Sequence, residues 1–191
     1  MTNAVDVWKQ FHWSFFVHTQ GLLIALGRFR EAMNAGKISV ARMELSSAAE
    51  LLQASGAAME LAGSYSRKAY ESQVRPSMLP PHVNSEDFSG LMSWDHAALM
   101  QLWRQLRPVF QNLPAALDAE HRVFIEAYGF LASSHRAVCQ RFGGDENGSL
   151  RNEDQIAIDA LDLFEKRRRN LIDPNQSSGC PFAHEMASKS P

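Results

Sequence analysis

Apolar residues recur every three or four positions through most of the first 74 residues, which is the spacing of one face of an α-helix. The pattern predicts a first helix over residues 4–35, apolar on most of its circumference. It predicts a second, alanine-rich helix over residues 39–74. Gly56 and Gly63 lie inside this second helix, where the small side chains would let another helix approach closely.

The same spacing predicts three further helices, over residues 94–110, 115–142 and 151–170. Residues 75–92 contain three prolines and show no period. Connections this long are uncommon in compact domains and tend to be functional, so this one is a candidate wall of a site. Since no run predicts a β-strand, the expected fold class is all-α, an antiparallel helical bundle of about five helices, a fold in which a cofactor pocket typically lies between facing helices.

The expected domain organisation is one helical domain over residues 1–170 and a flexible C-terminal tail over residues 171–191, rich in Ser, Pro and Asn. The tail contains Cys180 followed by proline. A Cys-Pro pair in a flexible segment can bind haem through the thiolate, and the alternative is a plain tail.

Composition excludes several classes of function. The chain has 191 residues, 45% of them hydrophobic, and a formal net charge of −2, which gives no positive surface for nucleic acid or a membrane. The basic run Lys166–Arg169 ends a predicted helix, where it complements the helix dipole. Two cysteines make no disulfide framework, and the N-terminus has no export signal, so a cytoplasmic location is expected.

His135 is the main candidate for chemistry. His121, Tyr128 and His135 recur every seven residues and therefore share one stripe of a helix, so His135 points inward with no carboxylate at hand. Its partner is either a backbone carbonyl or water, or a metal. Haem iron is the metal that fits, because one imidazole suffices as its protein ligand and the rest of the pocket is mainly apolar. A di-iron site would need Glu-x-x-His pairs, which the sequence lacks.

Four blocks resemble motifs of the tryptophan 2,3-dioxygenase and indoleamine dioxygenase superfamily, and they occur in the same order. They are Phe15-Phe-Val-His-Thr-Gln20, Arg75-Pro-Ser-Met-Leu-Pro-Pro81, Asp87-Phe-Ser-Gly90, and His135-Arg-Ala-Val-Cys-Gln-Arg-Phe-Gly-Gly144 with Asn147-Gly-Ser149. The resemblance implies a haem-dependent oxygenase that uses dioxygen and acts on a small indole- or phenol-type substrate.

The resemblance also implies roles for individual residues. The iron of haem b would be bound by His135, with Trp94, Tyr128 and Arg141 holding the rest of the cofactor. His18 or Thr19 would occupy the catalytic position facing the oxygen. The substrate would be bound by Phe15, Arg75, Ser89, Gly148 and Ser149, with Arg75 on its carboxylate. A helix C-terminal charge is the alternative role for Arg75.

Two further expectations concern attachment and assembly. Cys139 lies one turn after His135, so a single thioether to the haem is the alternative to b-type binding. The apolar first helix predicts a homodimer or larger assembly, because large exposed apolar patches are rare on monomers. Two other functions stay open: a haem sensor or carrier that turns nothing over, and a helical interaction protein without a cofactor.

Overall fold

The protein is an all-α bundle, as the hydrophobic spacing predicts. A computed structural model describes residues 3–84, 93–143, 148–149 and 152–175, with only the backbone given for 148–149 and 152–155. None of the described helices is both long enough and apolar enough to cross a membrane. The α-helices in these ranges are α1 (Ala4–Asn34), α2 (Ile38–Ala62), α3 (Arg67–Ala69), α4 (Arg75–Ser77), α5 (Trp94–Gln111), α6 (Asp118–Arg141) and α7 (Ala157–Ile172).

A tight turn makes α1 and α2 antiparallel neighbours. The side chain of Asn3 caps the start of α1 by accepting a hydrogen bond from Val5 N–H at 3.1 Å. After α1, Gly36 adopts φ +66°, and the Lys37 N–H donates to the Ala32 carbonyl at 2.9 Å. The two helices then pack along each other, α2 packs along α6, and α1 packs against α5.

Two glycines allow the close packing of α2 on α6. A Cβ added at Gly56 would lie 2.6 Å from the ring of Phe130, and one added at Gly63 would lie 2.6 Å from the side chain of Val138. Side chains larger than hydrogen therefore cannot fit without movement. The prediction of close helix approach at both glycines is confirmed.

The predicted second helix over 39–74 is not continuous, because residues 63–66 interrupt it. Helix α2 ends at Ala62, and Ser66 caps a new start by accepting a hydrogen bond from Ala69 N–H at 3.2 Å. A π-helix, Tyr70–Val74, follows and leads into α4, whose first residue Arg75 donates its backbone N–H to the Tyr70 carbonyl. Gly63 both lets α6 approach and ends α2, because glycine is a poor helix former.

The predicted fifth helix begins later than expected, at Ala157. Strand β2 (Asn152–Ile156) precedes it and pairs antiparallel with strand β1 (Gly148–Ser149), so the expectation of no strand is wrong at this point. The physical reason is that residues 152–155 are all polar and offer no apolar face to a helix.

Order also extends past residue 170, into the predicted tail. Ile172 is fully buried, and the Asn175 side chain donates to the Gln111 carbonyl at 3.3 Å. Residues 176–191, with Cys180, lie outside the described residues.

One end of the bundle is packed solid, and we call it the closed end. Phe110 stacks on Phe29 at 5.7 Å, on Phe124 at 5.9 Å and on His121 at 4.9 Å between ring centroids. His121 donates from Nε2 to the Ile172 carbonyl at 2.6 Å. Its imidazole is therefore satisfied by a backbone carbonyl and an aromatic stack.

Candidate functional site

A cavity of about 360 Å³ occupies the other end of the bundle, between the first half of α1, the second half of α2, the start of α5, the end of α6 and α7. Its volume lies within the usual range of ligand-binding clefts, roughly 300–1,000 Å³. Apolar and aromatic side chains make up most of the wall, among them Trp8, Phe15, Leu22, Trp103, Leu131 and Phe164. Such a wall favours an apolar or aromatic ligand.

His135 lines this cavity from α6, as the inward stripe predicts. Its imidazole forms no hydrogen bond with any described residue. Burial, and secondly the positive charge of Arg168, lower the pKa of His135 to about 4. The imidazole is therefore neutral at pH 7, and a nitrogen lone pair is available to a ligand.

Cys139 lies one helical turn after His135 and also lines the cavity. Burial raises the pKa of its thiol to about 11. The group is therefore a protonated thiol at neutral pH rather than a thiolate.

Three aromatic rings stack next to these two residues. The Phe142 ring lies between Tyr70, at 4.3 Å and 7° between planes, and Tyr65, at 5.3 Å and 12°. The buried Tyr65 hydroxyl has no hydrogen-bond partner among the described residues, and the same is true of the Trp103 indole nitrogen. Burial raises the pKa of both tyrosines, and the charge of Arg75 partly offsets this for Tyr70. Two unpaired polar atoms on side chains that line one cavity are consistent with a ligand that supplies partners.

Arg168 is a functional candidate that sequence reasoning missed. It lines the cavity from α7, its guanidinium interacts with the Tyr128 hydroxyl, and its Cζ lies 5.4 Å from the Phe164 ring centroid. Burial raises the pKa of Tyr128 to about 12, although the nearby Arg168 acts in the opposite direction. The expectation that the basic run only complements the helix dipole does not describe Arg168. Its spacing of four from Phe164 was the one available clue.

Five residues predicted for the site line this cavity together, namely Phe15, Thr19, Arg75, Tyr128 and His135. The Thr19 hydroxyl donates to the Phe15 carbonyl at 2.9 Å, so its proton is already used within α1. Arg75 and Met78 bring the start of the predicted 75–92 wall to the cavity.

Other predicted residues lie elsewhere or outside the described parts. The Trp94 side chain is 92% exposed, and His18 is not among the described residues of the cavity wall. Arg141 donates to the Gly63 carbonyl at 2.7 Å, which ties α6 to the end of α2. Ser89 lies outside the described residues. Gly148 and Ser149 form strand β1 rather than an open loop.

Two more histidines line the cavity and were not predicted as site residues, His12 on α1 and His96 on α5. His12 stacks on Trp8 at 4.4 Å and packs edge-on against Phe16 at 5.0 Å, and burial lowers its pKa. Both lie in stretches whose sequence is typical of an ordinary helix core or helix start. Their spacing therefore gave no indication of a site. Among the described residues, no group of three or more His, Cys, Asp or Glu side chains gathers as a metal site.

Comparison with known families decides the relationship. Residues 1–122, well over half of the chain, match the family described as SfmD 3-methyl-L-tyrosine peroxygenase. The chain belongs to this peroxygenase family. A relative from Streptomyces lavendulae, 3-methyl-L-tyrosine peroxygenase, is 28% identical over 173 residues. No solved structure matches the chain.

The relative is longer than this peroxygenase-family chain. The similarity covers 89% of the chain but 47% of the relative, so the chain spans about half the length of the curated protein it matches. Because a stretch of 89% must include the middle of the chain, the similarity extends over α6, which carries His135 and Cys139.

The resemblance to the tryptophan and indoleamine dioxygenases is wrong, because the chain belongs to the peroxygenase family instead. The four blocks misled because each is short, and parts of two of them are placed differently from what the resemblance implies. His18, in the first block, is absent from the described cavity wall, and the last block ends in strand β1 rather than in a loop. The third block, residues 87–90, lies outside the described residues.

Proposed function

We propose that this chain is a haem-dependent oxidative enzyme that uses a peroxide to oxygenate an aromatic amino acid or a closely related phenol. The observation that carries the proposal is His135, a neutral imidazole without a hydrogen-bond partner among the described residues, facing a largely aromatic cavity. The family relationship supports the reaction class, since the relative is a peroxygenase of 3-methyl-L-tyrosine. A peroxide therefore replaces the dioxygen expected from the sequence.

The side chains that could bind a metal in this cavity support haem rather than a bare metal ion. A porphyrin supplies four ligands to its iron and needs one from the protein, and His135 can be that ligand. His12 and His96 offer a further imidazole on other walls of the cavity. When bound, haem would supply an iron centre that activates the peroxide for oxygen transfer.

The residues around the cavity support binding and exclusion of water. Burial and Arg168 keep a proton off His135, so no proton competes with a metal at neutral pH. The aromatic walls formed by Trp8, Phe15 and Trp103 would stack against a flat ligand. Arg75 and Arg168 provide positive charge for the propionates of the cofactor or the carboxylate of the substrate.

Cys139 leaves two modes of attachment to be separated. In b-type binding the thiol is only a neighbour of His135. In the alternative, the thiol adds across a porphyrin vinyl group, so that an S–C bond forms and the thiol hydrogen moves to the other vinyl carbon. Extraction with acidic acetone distinguishes them, because only b-type haem leaves the protein.

The test is reconstitution followed by turnover. Purified protein is titrated with haemin while the Soret band is recorded, and hydroxylation of L-tyrosine and 3-methyl-L-tyrosine is then measured with and without hydrogen peroxide. We expect His135→Ala to lose the Soret band and the activity, and the exposed His82→Ala to keep both. Haem binding without peroxide-dependent product would favour a sensor or carrier, and the absence of haem binding would refute the proposal.

A further inference from the structure

Arg168 lines the cavity as a partly buried cation, and no described carboxylate lies within 4 Å of it. Its neighbours are occupied: Arg136 pairs with Asp162 at 3.0 Å, and Arg67 pairs with Glu71 at 2.9 Å. Arg141 donates to a backbone carbonyl at 2.7 Å. A partly buried cation without an anionic partner is unfavourable unless a ligand supplies the charge.

The surroundings of Arg168 hold its guanidinium in one place. The Phe164 ring lies on one side at 5.4 Å from Cζ, and the Tyr128 hydroxyl interacts with the guanidinium. Tyr128 is itself 4% exposed and packs edge-on against Trp103 at 5.3 Å, so its hydroxyl is fixed by the core. A fixed guanidinium loses little freedom when it binds, and its remaining N–H groups form a planar fork.

We propose that Arg168 and Tyr128 form the carboxylate-binding subsite of the cavity. The planar fork fits a carboxylate with two parallel hydrogen bonds, and the aromatic wall next to it fits the rest of an aromatic acid. The carboxylate comes either from an amino-acid substrate or from a propionate of haem. The inference rests on the proposed function for the identity of these ligands, but the subsite itself is tested without turnover.

Arg75 is the natural comparison, because it also lines the cavity and no described carboxylate lies within 4 Å of its guanidinium. It differs from Arg168 in its surroundings: it follows the π-helix, and its charge acts on the Tyr70 hydroxyl at another wall of the cavity. Arg75 is therefore a second candidate for the same carboxylate, and the matched control is Arg167, the exposed neighbour of Arg168 on α7.

The first arm of the experiment measures a preference for charge. The protein is titrated with 3-(4-hydroxyphenyl)propionate and with its neutral amide, and quenching of tryptophan fluorescence reports binding, since Trp8 and Trp103 line the cavity. We expect the acid to bind about tenfold more tightly or better, as is typical of a charge-assisted hydrogen bond. Arg168→Gln should remove this preference, Arg168→Lys should keep part of it, and Arg167→Gln, at the exposed neighbouring position, should leave it intact. A preference lost in Arg75→Gln but kept in Arg168→Gln would overturn the proposal.

The second arm tests the propionate as the source of the carboxylate. Each variant is titrated with haemin and with haemin dimethyl ester, whose propionates are blocked. If Arg168→Gln weakens binding of haemin but not of the ester, the subsite holds a propionate, whereas a change confined to the first arm assigns it to the substrate.

Two comparisons decide: the acid against its amide, and haemin against its dimethyl ester. The proposal is overturned if Arg168→Gln, with an unchanged circular dichroism spectrum, changes neither difference in affinity. It is also overturned if the protein binds none of these ligands. Arg168→Lys supplies the same comparison if the glutamine variant does not fold. A protein that prefers the acid but never binds haemin would refute the proposed function and leave the subsite standing.

Discussion

His121 and His135 lie fourteen residues apart on the same face of α6, one at each end of the bundle, and their surroundings differ in every respect. His121 stacks on Phe110 and donates to the Ile172 carbonyl. His135 forms no hydrogen bond with the described residues and faces a cavity of about 360 Å³. Histidine on the same stripe of α6 thus has two roles. At the closed end His121 completes the core, and at the other end His135 is available to a ligand.

The difference follows from what the neighbouring helices bring to each end. At the closed end Phe29, Phe110 and Phe124 fill the space between helices with stacked rings. At the cavity end α2 has already stopped at Ala62, and the shorter helical pieces after it do not fill the gap. We therefore expect the closed end to contribute more to the stability of the fold than the cavity end.

The largest difference between the two ends is expected in how the free energy of unfolding depends on pH. The pKa of His135 is about 4 in the folded protein against 6.5 for the free side chain. Between these values the unfolded chain binds the proton and the folded chain does not, so the free energy of unfolding should fall as the pH drops, by roughly 3 kcal/mol in total. Urea unfolding of the haem-free protein from pH 7 to pH 4 measures this.

His135→Ala provides the control for that experiment. The variant should lose most of the dependence on pH, and it should keep a smaller part because burial also lowers the pKa of His12 and His18. If wild type and variant lose stability in parallel, His135 is not held neutral by its surroundings.

The next largest effect is expected when each of the two histidines is replaced by alanine in turn. His121→Ala should lower the free energy of unfolding at pH 7 by about 2 kcal/mol, because a stacked ring is removed and the Ile172 carbonyl loses its donor. His135→Ala should change it by less than half as much under the same conditions. Chemical denaturation of both variants measures the two losses. A larger loss of unfolding free energy in His135→Ala would show that the cavity end contributes to stability as much as the closed end.

Glycine substitutions probe how closely α2 and α6 must pack. Gly56→Ala should destabilise the fold by about 1.5 kcal/mol, because the new Cβ meets the Phe130 ring and the backbone of Leu131. Gly129→Ala, on α6 with nothing within 4 Å of the new Cβ, should stabilise it by up to about 1 kcal/mol. Melting temperatures that shift in the same direction would contradict the close contact.

The smallest effect compares two tyrosines of the cavity end. Tyr65→Phe removes a buried hydroxyl that has no partner in the part of the chain that the structure describes, so the free energy of unfolding should rise by up to about 1 kcal/mol. Tyr128→Phe removes a hydroxyl that interacts with Arg168, so it should fall by a similar amount. Equal signs for the two variants would mean that Tyr65 has a partner in solution.

Prediction from sequence succeeded where a pattern had one physical meaning. The period of the apolar residues predicted α1, α5 and α6, and the seven-residue stripe directed attention to His135. These features depend on local spacing, which the sequence states directly.

Prediction failed where one residue serves two purposes or where similar residues are adjacent. Gly63 is both a contact with Val138 and the end of α2, and only the first purpose was inferred. Arg168 stands among neighbours of like charge, and only its position over Phe164 separates it from them. The pairing of β1 with β2 and the cavity itself arise from contacts between distant segments, which local spacing does not contain.

The π-helix Tyr70–Val74 has a consequence for how this chain tolerates changes in length. In an α-helix, residues five apart point in directions about 140° apart. The wider turn of the π-helix brings Tyr70 and Arg75 onto the same cavity, joined by the hydrogen bond from Arg75 N–H to the Tyr70 carbonyl. Deleting Ser72 or Gln73 would restore the ordinary turn and swing Arg75 away without changing the net charge. In this segment the number of residues, as much as their identity, keeps the guanidinium inside.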